Sequence, residues 1–131
     1  MHRVIVAEKI ADPGLDALRA AGHEVDVRTG LSPEELREAI AGASGLIVRS
    51  ATQVDAELIA AAGSSLAVVG RAGVGLDNVD TAAATANGVM VVNAPESNIT
   101  SAAEHTMALL LAQARNVPQA HGALVDGRWE R

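Results

Sequence analysis

Short apolar runs, rich in valine, isoleucine and leucine, recur at regular spacing along the first 97 residues of the chain. Five such runs predict five strands: Arg3–Ala7, Glu24–Val27, Gly45–Val48, Leu66–Val69 and Val89–Val92. Segments with helical start and stop signals separate them. Strands that alternate with helices are typical of a parallel α/β sheet.

The segments between these runs carry capping residues. Asp12 is the predicted N-cap of the first helix, with a proline after it, and Gly22 fits the left-handed stop. Ser32–Glu35 (SPEE) has the spacing of a capping box and predicts the start of a second helix. Asp55 and Asp80 are the predicted caps of the third and fourth helices. The pattern therefore predicts four helices between five strands.

A flavodoxin-like open sheet fits this order of elements. We expect an α/β fold with five parallel strands in the order 2-1-3-4-5, helices on both faces and right-handed crossovers. We assign residues 1–97 to this domain.

From residue 98 onward the pattern changes to an apolar helical arm, residues 98–131. Asn98 or Ser101 is the predicted N-cap, and Ser101 with Glu104 has the spacing of a capping box. The helix should run to about Asn116, with Pro118 interrupting it before a further turn or two. A helix that is apolar over most of its circumference is expected to be buried on more than one side. We therefore expect a homodimer formed through this arm.

Composition and charge narrow the possible functions. The chain has no cysteine, no Phe or Tyr, one Trp and a net charge of −6. Disulfides are excluded, and a nucleic-acid surface, which needs a basic patch, is not expected. Charged residues interrupt the most apolar stretch, Ile99–Val117, so we expect no membrane span. No signal peptide is recognisable, so we expect a cytoplasmic protein.

Arginines follow two strands that should be neighbours. Arg49 follows the third strand and Arg71 follows the fourth, so both should face the cleft at the carboxyl edge of the sheet. The guanidinium fork matches carboxylate and phosphate oxygens. Gly73 and Gly75 would let backbone N–H groups approach an anion. Capping of helix ends or pairing with surface acids is the alternative, but two arginines at adjacent strand ends favour a site for a small, doubly anionic molecule.

Other sites common on such folds are not indicated. The loop Gly70–Gly75 reads G-x-x-G-x-G, which differs from the dinucleotide fingerprint G-x-G-x-x-G. Arg49 and Asn93 stand where a phosphoacceptor domain needs Asp and Lys, and Glu8–Gly14 (EKIADPG) does not resemble the phosphate loop of a flavodoxin. The histidines form no triad-like order and no metal pair at helical spacing. We expect no metal, and no cofactor bound to this chain alone.

Several motifs resemble those of the NAD-dependent D-2-hydroxyacid dehydrogenases. They are Val48–Val54 (VRSATQV), Gly70–Asp80 (GRAGVGLDNVD), Val92–Asn98 (VNAPESN), Ser101–His105 (SAAEH) and Asp126–Arg131 (DGRWER). The resemblance covers the whole chain and is strongest to the branch that oxidises 3-phospho-D-glycerate to 3-phosphohydroxypyruvate in serine biosynthesis.

The resemblance implies a substrate-binding role for this part of the enzyme. By that resemblance the substrate-binding residues are Arg49, Ser50, Arg71, Ala72, Gly73, Gly75 and Asn98. Val74, through its main chain, and Thr106 correspond to positions that contact the cofactor.

The family's cofactor loop and its catalytic Arg, Glu and His would all lie beyond Arg131, in a separate cofactor domain. We therefore assign no catalytic residue and expect the chain alone to be inactive. A related 2-hydroxy acid as the parent enzyme's substrate stays open. So does a stand-alone flavodoxin-like module without ligand binding, of the kind made to ask whether half an enzyme folds.

Overall fold

Five parallel strands form a single sheet in the computed structural model, which describes residues 1–129. The strands are β1 (Arg3–Val6), β2 (Glu24–Val27), β3 (Gly45–Val48), β4 (Val68–Arg71) and β5 (Met90–Asn93). Their order is β2-β1-β3-β4-β5, and each neighbouring pair is parallel. The predicted α/β class and strand order are confirmed. Glu130 and Arg131, the end of the predicted arm, lie outside the described residues.

Residues 1–129 also form six α-helices. They are α1 (Asp12–Ala20), α2 (Pro33–Ala39), α3 (Ala56–Ala62), α4 (Thr81–Ala86), α5 (Ile99–Ala114) and α6 (Val117–Val125). The chain divides into two compact units, Met1–Ser97 and Asn98–Arg131. The first unit contains the sheet with α1 to α4, and the second contains α5 and α6. In residues 1–129 no helix is both long and apolar enough to cross a membrane.

The main core lies between one face of the sheet and the helices α2, α3 and α4. Leu46 and Val48 of β3 enter it from alternate positions, as a pleated strand requires, and Ile5 and Val69 enter it from the neighbouring strands level with Leu46. The helices contribute Leu36 and Ile59 among others. On the opposite face, Leu18 of α1 lines one cavity together with Val4 and Ile47. Helices therefore cover both faces, as expected.

Three of the predicted helix caps are present. The Ser32 hydroxyl accepts a bond from the Glu35 N–H at 3.2 Å, and the Glu35 carboxylate accepts one from the Ser32 N–H at 2.8 Å. Asp55 caps α3 and Asp80 caps α4, each through a 2.8 Å bond to a backbone N–H three residues on. Gly22 has a φ of 82°, the left-handed stop that was predicted.

The start of α1 corrects the prediction. Ala11, not Asp12, is the N-cap residue, and no side chain caps this helix. The Gly14 N–H already donates to the Ala11 carbonyl at 3.0 Å, so helical bonding begins one residue early. Asp12 lies in the first turn, where its negative charge still favours the helix dipole.

The fourth and fifth strands lie further along the chain than predicted. Pairing explains the shift, because Val68 is level with Gly45 at the start of β3 and Met90 is level with Val68. Leu66 is buried but precedes the strand, after a 3₁₀ turn over Gly63–Ser65. As a result Arg71 belongs to β4 instead of following it.

The second unit also departs from the prediction in detail. Asn98 is the N-cap residue of α5 but makes no side-chain cap bond, and the Ser101 hydroxyl donates to the Asn98 carbonyl at 3.0 Å, so the expected capping box is not formed. The left-handed Asn116 (φ 51°) separates α5 from α6, which has Pro118 in its first turn. The Trp129 side chain is 71% exposed.

Candidate anion site at the carboxyl edge of the sheet

The carboxyl ends of β3 and β4 bring the two predicted arginines to adjacent strands. Arg71, the last residue of β4, is level with Val48, the last residue of β3. Arg49 follows directly and is exposed, whereas Arg71 is half-buried. Adjacent strands lie about 4.8 Å apart, so the two backbones carrying these arginines are close neighbours.

Among residues 1–129, neither arginine has a partner for its charge. In the described chain the Arg49 and Arg71 guanidinium groups form no ion pair and no hydrogen bond, a property shared with Lys9 and Arg115. Arginines elsewhere in the domain are paired with carboxylates: Arg3, Arg19, Arg28 and Arg37. Pairing of Arg49 or Arg71 with a surface acid is thus not present among residues 1–129.

Arg71 lies over Gly73. A Cβ atom on Gly73 would overlap the Arg71 guanidinium, so the glycine leaves room for the arginine side chain. The Nε of Arg71 is buried without a hydrogen-bond partner. Gly73 does not have positive φ, and neither does Gly75, where a Cβ would come within 2.7 Å of an Asp77 oxygen. At both glycines the space that a Cβ would take is occupied by the end of a flexible side chain, and neither glycine has a positive φ.

The loop between β4 and α4 has only some of its N–H groups available. The N–H groups of Ala72 and Gly73 donate to the Val48 and Arg71 carbonyls, each at 2.8 Å. In residues 1–129 the N–H groups of Val74 and Gly75 donate no hydrogen bond. The part of the predicted Ala72–Gly75 cradle that remains free to hold an anion is therefore its second half.

Asn93 fixes this loop from the neighbouring strand. It lies at the end of β5, level with Arg71, and its side-chain amide donates to the Val74 carbonyl at 2.7 Å. The Ala94 N–H donates to the Gly73 carbonyl at 2.9 Å. Carbonyls of the loop thus face β5, and the role of Asn93 as an anchor was not predicted.

Glu8 holds the other loop, Arg49–Thr52. Its carboxylate accepts hydrogen bonds from the backbone N–H groups of Arg49 (2.8 Å), Thr52 (3.0 Å) and Ala51 (3.3 Å). Burial acts to raise the pKa of Glu8, but these hydrogen bonds to the charged form outweigh it, and the pKa lies below its ordinary value. Glu8 therefore acts as a structural anion.

Asn78 holds the same loop from the opposite side. Its side-chain amide donates to the carbonyls of Arg49 and Thr52, each at 2.7 Å, and its side chain is buried. The sequence places Asn78 within the motif Gly70–Asp80, but nothing in the local pattern reveals a contact across 29 positions. Both Glu8 and Asn78 were missed by sequence reasoning.

The remaining predicted residues are placed as follows. Ser50 is exposed beside Arg49, and Val74 is partly exposed in the loop after β4. Asn98 and Thr106 belong to the second unit, where the Thr106 hydroxyl donates to the Ala102 carbonyl at 2.7 Å within α5. The functional roles given to these residues stay predictions.

Comparison with known proteins identifies the family. Residues 4–127 match the family model described as D-isomer specific 2-hydroxyacid dehydrogenase, catalytic domain. The chain belongs to this family. The resemblance inferred from the motifs is confirmed, and the loops that carry Arg49 and Arg71 lie inside the matched region.

Relatives in this family are close in sequence. The chain is 50% identical over 129 residues to D-3-phosphoglycerate dehydrogenase of Archaeoglobus fulgidus and 51% identical over 129 residues to the chloroplastic D-3-phosphoglycerate dehydrogenase 2 of Arabidopsis thaliana. Each match covers 98% of this chain but only 24% and 20% of those relatives. The chain thus spans between a fifth and a quarter of their length.

Solved structures share the architecture. The match to the TT0316 protein of Thermus thermophilus covers 98% of this chain and 42% of the TT0316 chain, with a TM-score of 0.86 and 38% identity. The match to the NAD⁺-bound 3-phosphoglycerate dehydrogenase of Entamoeba histolytica covers 85% of this chain and 38% of that enzyme's chain, with a TM-score of 0.73 and 30% identity.

Proposed function

We propose that the chain is the substrate-binding part of an NAD-dependent D-3-phosphoglycerate dehydrogenase, the enzyme that oxidises 3-phospho-D-glycerate to 3-phosphohydroxypyruvate in serine biosynthesis. The observation that carries the proposal is the pair of unpartnered arginines, Arg49 and Arg71, on adjacent strand ends. High identity to relatives of that name supports the choice of substrate. We place the enzyme in the cytoplasm.

The attraction for the substrate comes from a few placed cations and not from the net charge of the chain. The substrate carries a phosphate and a carboxylate, whereas the chain has a net charge of −6. Two guanidinium groups without acid partners supply the attraction, at about 1.5–3 kcal/mol for each charge-assisted contact. The free N–H group of Gly75 and the hydroxyl of Ser50 are further donors to the anionic groups. By family resemblance, Asn98 also contacts the substrate.

The cofactor is proposed to bind mainly outside these residues. The loop Gly70–Gly75 does not fit a dinucleotide phosphate, because Gly70 and Arg71 lie within β4 and the Gly73 N–H is already bonded. Only Val74 and Thr106 are assigned to the cofactor, both by resemblance. We therefore derive no hydride or proton transfer step from this chain, whose contribution is to bind and orient the substrate.

Titration of the isotope-labelled chain with 3-phospho-D-glycerate, followed by NMR, tests the proposal. We expect saturable shifts at Arg49, Arg71 and the Val74–Gly75 amides, with a dissociation constant of about 1 mM or weaker, because association costs offset much of the contact energy. Arg71→Ala should abolish saturation. The control is Arg19→Ala, which removes an arginine that pairs with Asp16 on α1 at 3.1 Å and should leave binding unchanged.

Two results would overturn the proposal. Spectra that do not change at about 50 mM ligand would leave a fold module without ligand binding. Equal weakening by Arg71→Ala and Arg19→Ala would mean that the interaction is nonspecific attraction between charges.

Separately, we expect no NADH formation when the chain alone is mixed with NAD⁺ and substrate, since proton transfer needs a group within hydrogen-bond reach.

A further inference from the structure

The backbone N–H and carbonyl groups of Arg49 and of Thr52 are held from two sides. The Arg49 N–H donates to Glu8 at 2.8 Å, and the Arg49 carbonyl accepts from Asn78 at 2.7 Å. At the other end of the loop the Thr52 N–H donates to Glu8 at 3.0 Å and the Thr52 carbonyl accepts from Asn78 at 2.7 Å. We call Glu8 and Asn78 the loop clamp. It fixes both ends of the four residues that include Arg49 and Ser50.

Asn78 itself is rigidly placed. It is 3% exposed and is the one polar residue in the buried class among residues 1–129. Its backbone carbonyl accepts from the Val54 N–H at 2.8 Å, and the Asp80 N–H donates to the Val54 carbonyl at 2.8 Å. These bonds belong to a parallel bridge between Val54 and Val79. Both hydrogens of the Asn78 amide are used on the loop, a pattern that Asp, Leu or Ala cannot reproduce.

The geometry of the strands explains why the loop needs a clamp. Val48 and Arg71 are level, so a continued β3 would direct residue 49 to the face opposite Arg71, because side chains alternate along a strand. β3 ends at Val48, and the clamp sets the backbone path that follows. The direction of Arg49 relative to Arg71 therefore depends on the clamp and not on the pleat.

We propose that Asn78, acting with Glu8, is a positioning residue that sets the backbone of Arg49 so that its side chain meets the same anionic substrate as Arg71. The proposal rests on the proposed function, since it concerns the same site. Asn78 acts through Arg49 and does not itself contact the substrate.

A double-variant cycle on the intact chain tests this mechanism, with 3-phospho-D-glycerate as the probe and NMR titration as the readout. Asn78→Ala should weaken binding about tenfold, since it frees a loop held by two part-buried hydrogen bonds from a buried amide. In an Arg49→Ala background the same change should have little further effect, because a residue that acts through Arg49 has nothing left to position. Asn87→Ala is the matched control, as it removes a 2.8 Å amide bond to the Ala83 carbonyl away from the site.

Stability is measured on every variant by urea unfolding, which separates positioning from folding. If Asn78→Ala does not fold, Glu8→Gln provides the same cycle, because a glutamine amide cannot accept all three N–H groups that Glu8 holds. Non-additivity with Arg49→Ala supports the inference. Additive losses, or unchanged binding by Asn78→Ala and Glu8→Gln, overturn it. If the wild-type chain does not bind the probe, the proposed function fails first, which is a different result.

Discussion

The Arg71 guanidinium fills the space that a side chain on Gly73 would take. Because the overlapping atoms form the end of a flexible side chain, Gly73→Ala should change the free energy of unfolding by less than about 1 kcal/mol. The same change should displace the guanidinium and abolish binding of 3-phospho-D-glycerate. Calorimetry and urea unfolding check the two parts. Gly14→Ala, where a Cβ meets only Ile10 at an ordinary 3.7 Å, should leave binding intact, and equal binding by both variants would contradict the prediction.

The lowered pKa of Glu8 makes the free energy of unfolding depend on pH. Its pKa is lowered from 4.5, because hydrogen bonds from the Arg49–Thr52 loop outweigh the effect of burial. A carboxylate with a lowered folded pKa stabilises the fold above its unfolded pKa, and this contribution is lost as the pH falls through the folded pKa. The free energy of unfolding should therefore fall less between about pH 6 and about pH 3 in Glu8→Gln than in the wild type. Glu38→Gln, on the exposed face of α2, is the control. Parallel pH profiles for wild type and Glu8→Gln would rule this out.

At the scale of elements, the short helix α4 depends on its cap. It spans only Thr81–Ala86, and the Asp80 carboxylate accepts the Ala83 N–H at 2.8 Å. Asp80→Ala should lower the free energy of unfolding by about 1 kcal/mol, whereas Asp80→Asn, which keeps an acceptor, should stay near the wild type. Chemical denaturation measures both. A similar loss in the two variants would mean that charge, and not capping, matters at this position.

Elements with local signals were predictable from the sequence. The capping box at Ser32–Glu35 and the caps at Asp55 and Asp80 involve bonds across three residues, which the sequence displays directly. The position of β4 was not predictable to the residue, because its pairing with β3 decides where it begins. The loop clamp was also not predictable, because Glu8 bonds to residues 41 to 44 positions away, which become neighbours only in the fold.

At the scale of the whole molecule, the second unit presents an apolar surface. In the described part of α5 no residue is buried, and Met107, Leu109, Leu110 and Leu111 are each more than half exposed. Apolar patches of this kind favour association between copies. We expect a homodimer by light scattering, and Leu110→Glu should raise its dissociation constant at least about tenfold. Gln113→Glu introduces the same charge on the same helix and should have a smaller effect. A strict monomer at all concentrations would contradict the expectation.

The sequence predicted where the site lies in the first unit, but not the side-chain contacts that shape it. Strand order alone brought Arg49 and Arg71 to neighbouring strands, because the carboxyl ends of parallel strands share an edge. The sequence could not reveal that Gly73 serves the Arg71 side chain, or that Asn78 and Asn93 anchor the two loops. The Asn78 and Asn93 contacts arise only when distant segments fold together, and the Gly73 contact depends on where the Arg71 side chain lies.

The exposure of Trp129 decides which spectroscopic signals can report on this protein. The chain has no Tyr and no Phe, so its near-ultraviolet absorbance and intrinsic fluorescence come from one indole, 71% exposed near the end of the second unit. Emission from an indole this exposed should be close to that of a solvated tryptophan and should change little when the sheet melts. A flat fluorescence trace would therefore say nothing about whether the sheet is intact, and far-ultraviolet circular dichroism is the appropriate probe.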